Sequence, residues 1–78
     1  MSTGPMNYAK GQRLRMIDFL LAQYGTINRG ALMDFFGIST PQASKDFSDY
    51  MQLAPRNMAY DQTLKTYVRG TRFARVWA

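Results

Sequence analysis

Thr40, Gln42, Ser44 and Lys45 fall in one short polar stretch of the chain. A hydroxyl both donates and accepts a hydrogen bond, a carboxamide offers a donor and an acceptor side by side, and an ammonium only donates. Together these groups suit recognition of a fixed hydrogen-bond pattern such as the edges of nucleic-acid bases. Gln has the geometry to bond adenine N6 and N7 together, and Lys can donate to guanine.

Covalent chemistry has no comparable residue set. The 78 residues contain no cysteine and no histidine, which removes thiolate and imidazole ligands, the commonest general base and any disulfide frame. The carboxylates are the five aspartates 18, 34, 46, 49 and 61. The nearest two, Asp46 and Asp49, lie one helical turn apart, a spacing that suits a solvated face rather than an acid/base pair. The chain therefore reads as a non-enzyme with no catalytic residue, metal site or cofactor. Ten Lys and Arg against five Asp leave a net charge of +5, which favours a polyanionic partner. No apolar run is long enough to span a membrane and no signal peptide is evident, so the expected location is the cytoplasm, on the nucleoid.

The reading residues need a scaffold. Apolar periodicity at Leu14, Ile17, Leu20, Leu21 and Tyr24 predicts a first helix over 9–24, after a flexible N-terminal tail at 1–8. Lys10, Arg13 and Arg15 crowd its start, against the helix dipole; a solvated basic face is the usual reading of such residues, and a bound partner is the alternative. Gly25 ends this helix, Thr26-Ile27 reads as a short extended piece, and Asn28 can cap a second helix over 29–36 that buries Leu32, Phe35 or Phe36, and Met33. Gly37 suits a left-handed helix end, Ser39 or Thr40 can cap a third helix, Pro41 suits its first turn, and Ser39-x-x-Gln42 fits a capping box. That third helix is expected over 40–53, with Ala43, Phe47, Tyr50 and Met51 inward, until Pro55 stops it. The period then changes, and 57–68 reads as a two-stranded hairpin around Asp61-Gln62-Thr63. The fold class expected is mainly α with a small β-hairpin: a winged helix-turn-helix over 9–69, followed at 70–78 by a basic and apolar tail or linker. Phe73, Val76 and Trp77 should pack on this domain, on a second copy, or on a further segment.

Gly37-Ile38-Ser39-x-x-Gln42-Ala43-Ser44-Lys45-Asp46-Phe47 resembles the winged helix of DeoR-like bacterial regulators, in which Gly-Val-Ser is followed after two residues by Thr-Ile-Arg-Arg-Asp-Leu. Gln42, Ser44 and Lys45 stand where that pattern has Thr, Arg and Arg. A closer resemblance is to the N-terminal winged helix of WYL-domain transcriptional regulators of phage-defence islands. It rests on Arg13-Leu14-Arg15-Met16-Ile17-Asp18-Phe19, Asn28-Arg29, Ile38-Ser39-Thr40-Pro41-Gln42-Ala43-Ser44, Leu53-Ala54-Pro55, Tyr60-Asp61 and Lys65-Thr66-Tyr67-Val68. Those regulators continue into a ligand-sensing and a dimerising part, so the resemblance implies an excised domain or a short free-standing relative; the apolar tail favours the first.

The resulting expectation is a sequence-specific DNA-binding transcriptional regulator, a repressor, with helix 40–53 in the major groove. Thr40, Gln42, Ser44 and Lys45 are the candidates for base contacts. Asn28, Arg29, Ser39, Lys65 and Arg69 are the candidates for phosphate contacts. Asp46 reads as structural. The partner is double-stranded DNA with a two-fold operator, bound by a homodimer formed on DNA or through a further C-terminal region, with no membrane contact. The alternative is a winged helix used as a protein-interaction module, for which the six methionines and the exposed aromatics would serve.

Overall fold

The computed structural model describes residues 4–77, and it is built from α1 (Gly4–Tyr24), β1 (Thr26–Ile27), α2 (Arg29–Phe36), α3 (Thr40–Leu53), β2 (Met58–Asp61) and β3 (Thr66–Arg69). The predicted helix–turn–helix–hairpin order is present. One boundary differs: α1 begins at Gly4, well ahead of Ala9, so residues 4–8 of the expected tail are helical. Residues 1–3 of that segment lie outside the described residues. Pro5 is tolerated there because a first-turn N–H has no intrahelical partner to lose.

The sheet has three strands in the order β1-β3-β2, all antiparallel. Thr26 and Ile27 pair with Val68 and Tyr67, so the short extended piece after α1 closes the inner edge of the hairpin. Tyr60 opposes Tyr67 in the β2–β3 register. Their rings meet edge to face at 4.9 Å, and the other face of Tyr67 stacks on Phe47 of α3 at 4.3 Å. Aromatic contacts of this kind fasten the wing to α3.

Leu14, Ile17 and Leu21 of α1, Leu32 of α2, and Ala43, Phe47 and Tyr50 of α3 meet in one core with Ile27 and Met58. Burial of such side chains contributes roughly 1.5–3 kcal/mol each. Tyr24 departs from the expected stripe: it is 72% exposed. The chain reverses at Gly25, at φ 78°, and Ile27 fills the inward position beyond the helix end. Of the two phenylalanines of α2, Phe36 packs on the core, and Phe35 is exposed, edge-on to it.

The C-terminal segment folds back onto this domain. Asp18 of α1 is fully buried, and its carboxylate accepts hydrogen bonds from the Tyr50 hydroxyl (2.5 Å), Arg75 Nε (3.1 Å) and the backbone N–H groups of Val76 and Trp77 (3.1 Å each). Asn57 braces the same segment, exchanging two hydrogen bonds with the backbone of Ala74 and donating to the Tyr50 hydroxyl. Burial alone would raise the Asp18 pKa; the hydrogen bonds from Tyr50, Val76, Trp77 and Arg75 outweigh it and hold the carboxyl below its ordinary value. Burial and the Asp18 hydrogen bond push the Tyr50 phenol well above its own. Of the three resting places expected for the tail residues, Phe73 and Trp77 take the first, against this domain's core.

Candidate nucleic-acid interface

The turn between α2 and α3 is built by local chemistry. Asn28 caps α2, its side-chain oxygen accepting from Ala31 N at 2.8 Å. Gly37 ends the helix at φ 65°, ψ 37°, and its N–H returns to the Met33 carbonyl at 2.7 Å. Glycine takes that conformation without the steric cost a Cβ brings. Ile38 then packs against the core, and Ser39 caps α3 by accepting from Gln42 N at 3.3 Å. The capping box is half made: the Gln42 carboxamide turns forward along α3 and donates to Asp46 at 2.9 Å.

With Ala43, Asp46, Phe47 and Tyr50 turned inward, α3 exposes Thr40, Pro41, Lys45, Ser48 and Gln52, with Gln42 and Ser44 half-buried on its two flanks. Thr40 sits at the very start, its hydroxyl against the Met33 sulfur. Ser44 accepts a hydrogen bond from Arg29 at 2.9 Å, which ties a base candidate to a phosphate candidate. Lys45 is exposed and pairs with Asp49 at 3.2 Å. Ser48 and Gln52 extend the exposed face, where the helical repeat puts them, and were not among the base-contact candidates.

Of the five phosphate candidates, Ser39 and Arg29 lie at this face, Ser39 as the cap of α3 and Arg29 through Ser44. The Asn28 and Ser39 oxygens are engaged as caps, yet the Asn28 amide hydrogens and the Ser39 hydroxyl proton can still be donated. Arg29 lies at the start of α2. Lys65 is exposed in the wing turn at φ 55°, and Asp61 stabilises that turn by accepting from Leu64 N at 2.9 Å. Arg69 differs: its guanidinium donates to the carbonyls of Leu21 (3.2 Å) and Ala22 (2.9 Å), at the end of α1. A cation there adds to the Gly25 N–H bond at the Leu21 carbonyl, satisfies the Ala22 carbonyl in the last turn and complements the dipole.

The basic start expected for α1 also has internal partners. Lys10 pairs with Asp49, Arg13 pairs with the fully buried Asp46 at 2.5 Å, and Arg15 lies over the Trp77 ring at 5.8 Å. Because α1 begins at Gly4, none of the three lies in its first turn. The Lys10 hydrogen bond, with help from Lys45, holds Asp49 below the ordinary carboxylate range. Both carboxylates of α3's middle turns are thus neutralised by cations, and neither presents an unpaired negative charge to a polyanion. Between α3 and the wing runs an open groove of about 550 Å³ lined by Ser44, Phe47, Ser48, Met51, Tyr60 and Tyr67, among others.

Three helices, a tight turn into α3 and a hairpin wing define a winged helix-turn-helix domain. Residues 9–78 match the family model described as the BrxR transcriptional regulator winged helix-turn-helix domain, and the chain belongs to that family. It is 50% identical over 60 residues to the DNA-binding transcriptional repressor CapW of Escherichia coli strain KTE188, covering 77% of this chain and 20% of that protein. The protein of the same name from Pseudomonas aeruginosa is 47% identical over 60 residues, with the same coverage. The one from Stenotrophomonas maltophilia is 43% identical over 68 residues, covering 87% of this chain and 23% of that protein. The chain thus spans about a fifth of the length of the curated relatives it matches.

Proposed function

We propose that this chain is the DNA-binding module of a transcriptional repressor and that it reads the major groove with α3. One observation carries the reading. The polar residues Thr40, Gln42, Ser44 and Lys45 occupy the first turns of a helix whose entry is fixed by Gly37 and Ser39, between the caps of α2 and the wing. An N-terminal turn of this kind brings side chains to base edges while helix ends and wing hold phosphates. Gln42 and Lys45 carry most of the base discrimination. Arg29, Ser39, Asn28 and Lys65 hold the two flanking phosphate strands. The relatives' description as DNA-binding repressors and the absence of catalytic chemistry from the residue set support a regulator rather than an enzyme.

A single module reads few base pairs, so the operator is a two-fold repeat occupied by two copies, whose pairing comes mainly from outside this domain. The test is selection of duplexes from a randomised pool, followed by titration of selected and random DNA at two salt concentrations. A selected site bound at least about a hundredfold more tightly than random DNA is expected. Equal affinity for both at either salt would defeat the reading in favour of a protein-interaction module.

A further inference from the structure

The surroundings of Gln42 add a determinant of specificity that itself touches no DNA. Asp46 lies one turn further along α3, fully buried. Arg13 of α1 grips its carboxylate with two nitrogens, Nε to Oδ2 at 2.5 Å and Nη2 to Oδ1 at 3.3 Å. The Oδ1 atom also accepts from Gln42 Nε2 at 2.9 Å. Gln42 is therefore the outermost member of a chain running from α1 through a buried charge to the surface of α3.

We infer that Asp46, held by Arg13, is a positioning residue that locks the Gln42 carboxamide in one of its two flip states and so confines it to adenine. The inference rests on the reading of Gln42 as a base contact. A carboxylate only accepts hydrogen bonds, and a flipped Gln42 would set its Oε1 against Oδ1, acceptor against acceptor. With one Nε2 hydrogen committed to Asp46, the amide presents its second hydrogen and its Oε1 outward. That donor–acceptor pair matches adenine N7 and N6. An unlocked amide could turn Nε2 toward the acceptors of guanine, or Oε1 toward the amino group of cytosine. Asp46 thus works by excluding wrong partners, with fewer Gln42 rotamers to freeze on binding.

Asp46→Asn is isosteric, but its amide can donate as well as accept, so it tolerates both flips. Duplexes are selected from a randomised pool with the unmodified chain, with Gln42→Ala and with Asp46→Asn. Gln42→Ala identifies the base pair that Gln42 reads. At that pair Asp46→Asn should lose adenine preference about tenfold. Affinity for the unselected pool should not fall, because the net positive charge of the domain rises by one and no phosphate contact is lost. An adenine preference kept within about twofold, or a uniform loss on every sequence, would overturn the positioning role and leave the reader intact. A Gln42→Ala profile that matches the unmodified chain at every pair would overturn reader and lock together. Should Asp46→Asn fail to fold, side-chain amide ¹⁵N relaxation of the unmodified chain decides. Gln42 should be as rigid as the backbone and Gln62, exposed in the wing turn, should be more mobile; equal mobility of the two would overturn the lock.

Discussion

Asp18 and Asp46 are alike in type and in complete burial, and both lie where α1 faces α3, yet they do opposite work. Asp18 is satisfied by groups that tie the C-terminal segment down: the Tyr50 hydroxyl, the Arg75 guanidinium and two backbone N–H groups converge on it from α3 and that segment. Asp46 is satisfied by one cation from within and by one side chain, Gln42, that is only half-buried. The first closes the fold around its own terminus. The second carries the order of the interior out to the proposed reading face. A buried charge is weak evidence for net stability but a strict constraint on geometry. What that constraint acts on, a chain segment or a reading amide, separates the two sites.

The contrast is most sharply broken by deleting the inner carboxylate. Asp18→Ala strands the Tyr50 hydroxyl and two backbone donors, and it should destabilise the domain by about 3–5 kcal/mol. Urea unfolding followed by circular dichroism measures this, and a loss below about 1 kcal/mol would show that the terminal segment is held by other contacts. Acid offers the same test without a large perturbation. Because the folded Asp18 carboxyl lies below its unfolded value, its contribution is fully present above the unfolded range near pH 4. It is lost as pH falls through the folded pKa. Asp18→Asn should flatten the fall of stability below about pH 4.

On the outer site the expected effect moves from stability to binding. Gln42→Ala should cost roughly 1–3 kcal/mol on a selected duplex and relax preference at one base pair per half-site. Fluorescence anisotropy on selected and random duplexes reads both numbers, and losses of equal size on the two would remove Gln42 from the reading set. The smallest effects separate two arginine and lysine positions that look equivalent in the chain. Lys65→Ala should lower the salt slope of DNA binding by about one unit. Arg69→Ala should instead lower thermal stability by about 1 kcal/mol, the scale of an exposed helix-end interaction, and leave the slope nearly as it was. A slope that responds to Arg69 and not to Lys65 would put the inner end of the wing, not its tip, on the phosphates.

Much of the fold is legible in the chain because the signals are local. The apolar repeat of α1, Asn28 and Ser39 as caps, Gly37 as a left-handed stop and the change of period after Pro55 each act within a turn or two. The structure has the corresponding elements nearly where those signals put them. The exposed polar face of α3 follows from the same arithmetic. Local signals misjudge the start of α1, because a proline in a first turn is compatible with helix, and they turn Tyr24 inward although it lies beyond the core.

The pairings that distinguish one charged residue from another have no local signature. Arg13 meets Asp46 across 33 positions and Arg75 meets Asp18 across 57. In the chain Asp46 and Asp49 are two aspartates on one helix, and Lys65 and Arg69 are two cations on one hairpin. The sequence by itself determined three helices, a tight turn, a wing, a positive charge and the polar outer face of α3, since each depends on neighbouring residues or on plain counting. Only the tertiary structure decided which carboxylate holds the C-terminal segment and which meets Gln42, and which cation of the hairpin bonds to the end of α1. Burial and hydrogen-bond satisfaction are properties of surfaces brought together by folding.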